Sequence, residues 1–301
     1  MRIAVFTDTP GWHGARLREA FTARGAEVQC LSLRDCGIEL HTGSTRLRLP
    51  GFGAGLPDAA FVRGIAGGTL EEVVFRLDVL HALEATGIPV YNNARAIERS
   101  VDKSLTSFLL ARAGLPTPPT LVTADETEAR DWVRAEIAVG HQLVCKPLFG
   151  SQGEGLVRID ADKQLPDRGA VNGVWYLQRF VETAEAGASD WRLFVVGGRV
   201  VAAMRRSNNG WLTNVTRGAT CHAGVAQRTT LRLAEGAAAI LGMGYAGVDL
   251  MHDRDGRWWV IEINSIPAWR GLQGVCGTDV ADLLASDLLG RLNKTPSLEV
   301  I

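Results

Sequence analysis

LVCKPLFGSQGEGLVRI, residues 143–159, decides the fold by the order of its parts. Leu143 to Lys146 is a short run of β-formers that ends on a cation. Gly150, Ser151, Gln152, Gly153, Glu154 and Gly155 follow as a glycine-rich loop, and the chain then enters a second apolar run. Glycines let backbone N–H groups approach and surround phosphate oxygens, and a lysine nearby adds a point charge. A Walker loop places its lysine after the glycines and opens a helix, and a dinucleotide fingerprint also runs from strand to helix. Here the loop joins strand to strand, so both of those motifs are disfavoured. Taken alone, the stretch also fits an ordinary hairpin turn.

Downstream the same texture continues. VWYLQRFV, WRLFVVGGRVVAAMRR, YAGVDLMHD and RWWVIEIN read as strands joined by Gly-rich or Asp-Gly turns, with Gly197-Gly198 at the tip of the clearest hairpin. AQRTTLRLAEGAAAILG and TDVADLLASDLLGRL read as helices beside them, so this part is antiparallel α+β. Upstream, RIAVF, VQCLSL and DAAFVRG alternate with the helical stretches ARLREAFTARG and TLEEVVFRLDVLHALEATG. That alternation predicts a parallel sheet covered on both faces. Residues 34–56 read as a hairpin or a loop, residues 94–114 as one helix, and ETEARDWVRAEI as another. The three prolines of LPTPPT, residues 115–120, form a stiff connection where the texture changes.

The chain has 301 residues, enough for about two domains, and 46% of them are hydrophobic against 22% charged, which excludes a disordered or low-complexity chain. Its 32 Lys plus Arg against 33 Asp plus Glu leave no global positive field for nucleic acid or anionic lipid. No apolar run reaches the ~18 residues of a membrane helix, and the start does not read as a signal peptide, so a cytoplasmic protein is expected. Cys30, Cys36, Cys145, Cys221 and Cys276 are odd in number and scattered, which argues against a disulfide framework or structural zinc.

Three further groups carry chemistry. Asp249 in AGVDLM, and Glu262 with Asn264 in WVIEINSIP, sit on two strands around a tight turn. Residues two apart on a strand share a face, and hairpin pairing brings Asp249 beside them, an all-oxygen set suited to Mg²⁺. The same residues also fit an acidic strand edge or salt bridges. Arg192, Arg205, Arg206 and Arg217, with Asn214 nearby, are guanidinium groups able to grip phosphate or carboxylate, and each is equally read as a solvated or ion-paired residue. Lys103 opens a helix, where a cation is unfavourable unless an anion sits in front of it or Asp102 compensates. His13, His41, His81, His141, His222 and His252 show no metal spacing. His13, in GWHG after the first strand, is placed for a substrate contact, and Arg63 either receives the acidic end of a substrate or pairs with Glu71 or Glu72.

In this order, Lys103, LVCKPLFGSQGEG, LQRFV, DWRLFVVGGRVVAAMRR, TNVTRGA, AGVDL and VIEINSIP resemble the ATP-grasp ligases, in particular the RimK-like branch that attaches glutamate to a carboxylate. The match runs from about Arg95 to the C-terminus. The stretch from AFVRG to LPTPPTLV is more similar to members that add L-glutamate to tetrahydromethanopterin than to those that modify a ribosomal protein.

The resemblance implies an ATP-grasp fold of α/β and α+β class. An N-terminal open parallel α/β domain (1–94) would precede a small central domain with the lid (95–182) and a C-terminal antiparallel-sheet domain with the metal site (183–301). It implies an ADP-forming acid–amino-acid ligase that uses ATP and two Mg²⁺ ions, with Mn²⁺ able to substitute. Lys103 and Lys146 would contact the phosphates under the lid loop Gly150, Ser151, Gln152, Gly153 and Gly155. Gln178, Arg179, Phe180 and Val181 would form the strand that reads adenine, with Asp190 near the ribose and Arg192 nearby. Asp249, Glu262 and Asn264 would hold the metals, and Arg205, Arg217 and Asn214 would stabilise the transferring phosphoryl group. The implied partners are a small-molecule acceptor carboxylate and L-glutamate, with neither nucleic acid nor membrane, in a homodimer or homotetramer. Relatives usually carry Glu where this chain has Arg179, which puts a side-chain role there in doubt. The other readings are a ligase acting on a protein C-terminus and a nucleotide-binding sensor without turnover.

Overall fold

A computed structural model describes residues 1–150, 153–160, 165–183 and 187–293. The chain opens with β1 (Arg2–Phe6), α1 (Gly11–Thr22), β2 (Glu27–Leu31), β3 (Gly37–His41), β4 (Ser44–Arg48), β5 (Ala59–Val62), α2 (Leu70–Ala85) and β6 (Val90–Tyr91). Strands β2, β1, β5 and β6 form one parallel sheet in that order. Alternation along the strands gives it two buried faces. Ile3, Val5 and Phe61 face one core with Phe21 of α1, while Ala4, Phe6 and Val62 face another with Leu80 and Leu83 of α2. Residues 34–56, left open between hairpin and loop, contain a separate antiparallel hairpin of β3 and β4.

The expected single helix over 94–114 is two: α3 (Ala94–Val101) and α4 (Lys103–Arg112). Asp102 breaks it. Its φ and ψ of −87° and 100° are not helical, and its carboxylate accepts from the backbone N–H groups of Ser104 and Leu105 at 2.8 and 3.1 Å. That is a standard N-cap, and it puts Lys103 at the first position of a new helix.

Next come β7 (Thr120–Thr123), α5 (Glu126–Ala138), β8 (Leu143–Lys146), β9 (Val157–Ile159) and β10 (Trp175–Arg179), and the four strands make an antiparallel sheet in the order β7-β10-β8-β9. The last part holds β11 (Ala188–Val196), β12 (Arg199–Asn208), β13 (Thr220–Ala223), α6 (Arg228–Leu241), β14 (Tyr245–His252), β15 (Trp258–Asn264), α7 (Arg270–Gln273) and α8 (Val280–Leu292). Its sheet is antiparallel, in the order β13-β12-β11-β14-β15.

One face of that sheet is apolar: Leu193, Val195, Ala203, Val248, Leu250 and Ile263 pack under Ala234, Ala237, Ala238 and Leu241 of α6. Period-two alternation then turns Arg192, Asp249 and Glu262 to the other face. Helix α8 lies at the other side of this sheet. Val280, Leu284 and Leu288 share a core with Phe194, Val196 and Tyr245 of this sheet and with α1 and the first sheet, and Arg16 of α1 and Arg24 just after it pair with Asp279 and Asp282. Among the described residues no helix is long and apolar enough to cross a membrane.

Candidate active site

A cleft opens between the central and C-terminal sheets, and most of the residues singled out in the sequence border it: Lys103, Lys146, Gly150, Gly153, Gln178 to Val181, Asp190, Asn214, Asp249 and Glu262. Strand β8 delivers Lys146 at its end, and α4 delivers Lys103 at its start. Lys103 Nζ donates to the carbonyls of Gly150 (2.8 Å) and Leu148 (3.4 Å), which ties the first turn of α4 to the glycine-rich loop. Burial pulls its pKa down against the pull of Glu262 and Asp102. Lys146 Nζ donates to Gln178 Oε1 at 2.7 Å. Burial brings the Lys146 pKa down to about 8, with Glu262 opposing the shift and Lys103 adding to it. Gln178, only 2% exposed, is held in turn by donation to Thr120 Oγ1 at 2.9 Å and to the Tyr176 hydroxyl at 3.1 Å.

The loop must be glycine where it meets its neighbours. Gly153 has φ +73°, and a Cβ there would lie 2.6 Å from Asn214 Oδ1. Gly155 is not among the residues lining the cleft; its φ is +68°, and a Cβ on it would strike Pro147 at 2.7 Å. Ser151 and Gln152 lie outside the described residues.

Arg179, where the resemblance leads to the expectation of Glu, has its guanidinium turned to α5. Its Nε and Nη2 reach Glu136 at 2.5 and 3.0 Å, and His141 Nδ1 shares that carboxylate at 2.8 Å. The extra cation is thus neutralised at the back of the hinge, and its backbone N–H is bonded to Pro119 O. Phe180 carries the Arg158 guanidinium over its ring at 4.3 Å and meets Trp211 edge-on.

On the C-terminal sheet, four charges interlock. Arg192 grips Asp249 with two bonds of 2.7 Å, Arg206 grips Asp190 at 2.7 and 2.5 Å, and Arg206 also reaches Asp249 at 3.0 Å. Thr213 Oγ1 donates to Asp190 at 2.6 Å. Burial alone would raise the Asp249 pKa, but Arg192 and Arg206 hold it low. At Asp190 burial wins over Arg206 and the pKa is raised. Asp190 is therefore engaged within the protein, with its ribose role unsupported by a free carboxylate.

Thr213 is a site residue that the sequence reading did not single out, and Arg206, named there among the guanidinium groups, was given no place in the site by the resemblance. Arg205 stands opposite Trp191 on the α6 face, while Arg206 stands opposite Asp190 and lines the cleft. Arg217 is exposed in a short turn, Val215–Arg217, beside Asn214.

Asp249 and Glu262 are direct partners across β14 and β15, and Asn264 follows on the same face. Among the described residues Glu262 makes no hydrogen bond or ion pair, and Asn264 Nδ2 is buried without a partner. An unpaired carboxylate, a second carboxylate and an amide whose oxygen can replace that orphaned nitrogen form a hard-oxygen donor set. The set fits Mg²⁺, which completes its shell with water and phosphate. Among the described residues no three His, Cys, Asp or Glu side chains come together in the manner of a closed metal cage.

The family profile for a RimK-like ATP-grasp domain matches residues 100–288, and that for a RimK PreATP-grasp domain matches residues 1–97. The chain is similar to the tetrahydromethanopterin:alpha-L-glutamate ligase of Methanococcus maripaludis, at 35% identity over 238 residues that cover 76% of this chain and 78% of that one. It is 36% identical over 242 residues to the enzyme of the same name from Methanocaldococcus jannaschii, covering 77% and 79%. Among solved structures it resembles the ATP-grasp ligase PsnB complexed with minimal precursor, Mg and ADP, with a TM-score of 0.72 at 23% identity over 97% and 98% of the two chains. A RimK domain protein from Sphaerobacter thermophilus aligns with a TM-score of 0.68 at 25% identity over 95% and 98%.

Proposed function

The chain belongs to the RimK-like ATP-grasp family and is an amino-acid ligase of that fold, and on that premise we propose that it adds L-glutamate to the carboxylate of a small, cofactor-like acceptor. A pterin side chain of the tetrahydromethanopterin kind is the acceptor class favoured by its relatives' names. The observation that carries the reading is the meeting of Lys103, Lys146, Asp249 and Glu262, from distant parts of the chain, around one cleft.

A carboxylate is a poor electrophile at neutral pH. In the proposed reaction its oxygen attacks the γ-phosphorus of ATP, the bond to the β,γ-bridging oxygen breaks, and ADP leaves. The amine of glutamate then attacks the acyl carbon, inorganic phosphate leaves, and the nitrogen gives up a proton to leave an amide. Positioning and charge neutralisation do most of this work. Lys103 and Lys146 would grip the phosphates, and the loop around Gly150 and Gly153 would cover them. Backbone groups of Gln178 to Val181 would read adenine, since the Arg179 side chain is engaged by Glu136. Asn214 and Arg217 would border the transferring phosphoryl group, and Arg206 rather than Arg205 would face it from the sheet. Asp249, Glu262 and Asn264 would hold Mg²⁺, two ions in the full assignment, which when bound neutralises charge on phosphate oxygens.

Purified protein with ATP and Mg²⁺ should release ADP only when L-glutamate and an acceptor are both present, and hydroxylamine should trap the acyl phosphate as a hydroxamate. Pterin, furan and peptide acceptors separate the substrate classes by the mass of the product. ADP release with none of them, and no hydroxamate, would overturn the reading.

A further inference from the structure

Three buried polar atoms lack a partner among the described residues: Arg63 Nε, Asn264 Nδ2 and Trp269 Nε1. The Asn264 nitrogen belongs to the metal set already described. The other two meet away from that set, where the first sheet joins the C-terminal part. The Arg63 guanidinium stacks 5.3 Å from the Trp269 ring, and its one bond is a long 3.4 Å contact from Nη1 to the carbonyl of Ile266, two residues beyond Asn264.

Other buried and partly buried arginines here have counter-charges. Arg206 has Asp190 and Asp249, Arg192 has Asp249, and Arg76 has Glu72 and two carbonyls. Arg63 has no carboxylate within ion-pair reach among the described residues. Glu72, one of the partners suggested by the sequence, pairs with Arg76 and caps α2, so the ion pair considered for Arg63 is not formed with it. The Arg63 side chain is partly buried with its Nε enclosed, so holding its charge there without a carboxylate partner costs stability, and burial pulls its pKa down.

Among the described residues, the groups packed against Arg63 and Trp269 are neutral or cationic. His13 Nε2 accepts from the Trp269 backbone N–H at 3.2 Å, so its ring is neutral; burial, Arg63 and Arg270 together push its pKa down to about 4. Arg270 is exposed on the rim. Helix α1, twelve residues long, begins beside Trp269 with no side-chain cap and no acidic residue in its first turn, so its leading N–H groups are open. A fully buried indole N–H without an acceptor, a partly buried guanidinium with no carboxylate partner among the described residues and an uncapped helix start lie around the Trp269 ring.

We propose that Arg63, Trp269 Nε1–H, Arg270 and the first turn of α1 form a carboxylate-binding subsite that holds an anionic group of a substrate while another group of it reacts in the cleft. The role as a substrate subsite rests on the ligase reading above. The carboxylate comes either from the amino acid or from the acceptor, and kinetics separates the two sources. A planar fork and an N–H beside it match carboxylate geometry, whereas a hydrophobic or cationic substrate group would leave both donors unpaired.

Two measurements test it. The first needs no turnover. Glutarate, succinate or L-glutamate at millimolar concentration should raise the melting temperature of the wild type and not of Arg63→Gln, which without ligand should melt no lower than the wild type because a partly enclosed charge without a carboxylate partner has gone. No shift in the wild type, or equal shifts in both proteins, would overturn the subsite even if the ligase reading stands. The second is kinetic. Arg63→Gln should raise KM for either L-glutamate or the acceptor by about tenfold or more, equivalent to about 1.4 kcal/mol, with KM for ATP unchanged. Arg63→Lys should recover part of the loss, and Trp269→Phe, which keeps the ring and removes the N–H, should raise the same KM. KM values for both carboxylate substrates unchanged in Arg63→Gln and Trp269→Phe would refute the assignment, while a wild type inactive with every acceptor would sink the ligase reading and leave the melting result to stand alone.

Discussion

Lys146→Met, compared with the wild type at pH 7 and pH 10, measures what the cleft charges for a protonated lysine without its substrate. The native pKa is about 8, against 10.5 for the free side chain, and burial is the main cause. Below pH 8 both folded and unfolded chains carry the proton, and the folded chain bears the full cost of about 3 kcal/mol. As the pH rises from 8 to 10.5, the native amine is already neutral while the unfolded chain still binds its proton. The unfolded state then holds more protons, so wild-type stability rises with pH, and by pH 10 the remaining cost is about 1 kcal/mol. The bond to Gln178 survives deprotonation, because a neutral amine still donates, so its loss in the variant is the same at both pH values. Groups that do not interact with Lys146 cancel between the two proteins. Urea unfolding should therefore show the stability of Lys146→Met relative to the wild type falling by about 2 kcal/mol between pH 7 and pH 10. A difference that stays constant over this range would mean that Lys146 is not held in a desolvated cationic state, and its place as a phosphate ligand would lose its physical basis.

Glu262→Gln should keep its fold and lose at least about a hundredfold in ADP release, since a cleft carboxylate with no hydrogen bond or ion pair among the described residues, set beside Asp249, is neutralised; near-normal turnover would contradict the metal assignment. Arg206→Met removes the shared partner of Asp190 and Asp249, both less than 6% exposed, and should lower unfolding free energy by about 3–5 kcal/mol, measured by denaturant titration; a loss under about 1 kcal/mol would show that the two carboxylates are not held as charges. Arg179→Glu sets like charges against Glu136 and should destabilise by about 1 kcal/mol, with Glu136→Arg in the same chain restoring most of it. If the double variant is no better than the single one, the pair is not what accommodates arginine at the hinge. Gly153→Ala should raise KM for ATP, because its Cβ would collide with Asn214 and its φ is positive, and unchanged kinetics would mean the loop is not seated as described.

The sequence was most legible where chemistry and local geometry coincide. Asp249, Glu262 and Asn264 came from period-two alternation and a tight turn, and the two strands pair with Asp249 opposite Glu262. The break at Asp102 was less legible, because helix-forming residues flank it on both sides and one capping carboxylate decides the matter. The Arg63 cluster was illegible as a unit, since its parts come from the first helix, the third strand of the parallel sheet and the segment after β15, and only the tertiary fold brings them together. Arg205 and Arg206 show how a single residue can decide a site. The Gly197-Gly198 tip sets the hairpin at Val196 opposite Arg199 and Val195 opposite Val200, and counting on along that ladder puts Arg205 across from Asp190. A bulge intervenes at Phe194 and Val195, so Phe194 faces Ala202 and Val201 is the extra residue. From there every pair shifts by one: Arg206 lands opposite Asp190 on the cleft face, and Arg205 lands opposite Trp191 on the face covered by α6. Because strand side chains alternate, a one-residue slip exchanges the two faces. The bulge therefore selects which of two adjacent arginines meets the carboxylates of the cleft, and no residue type in the sequence marks where that bulge falls.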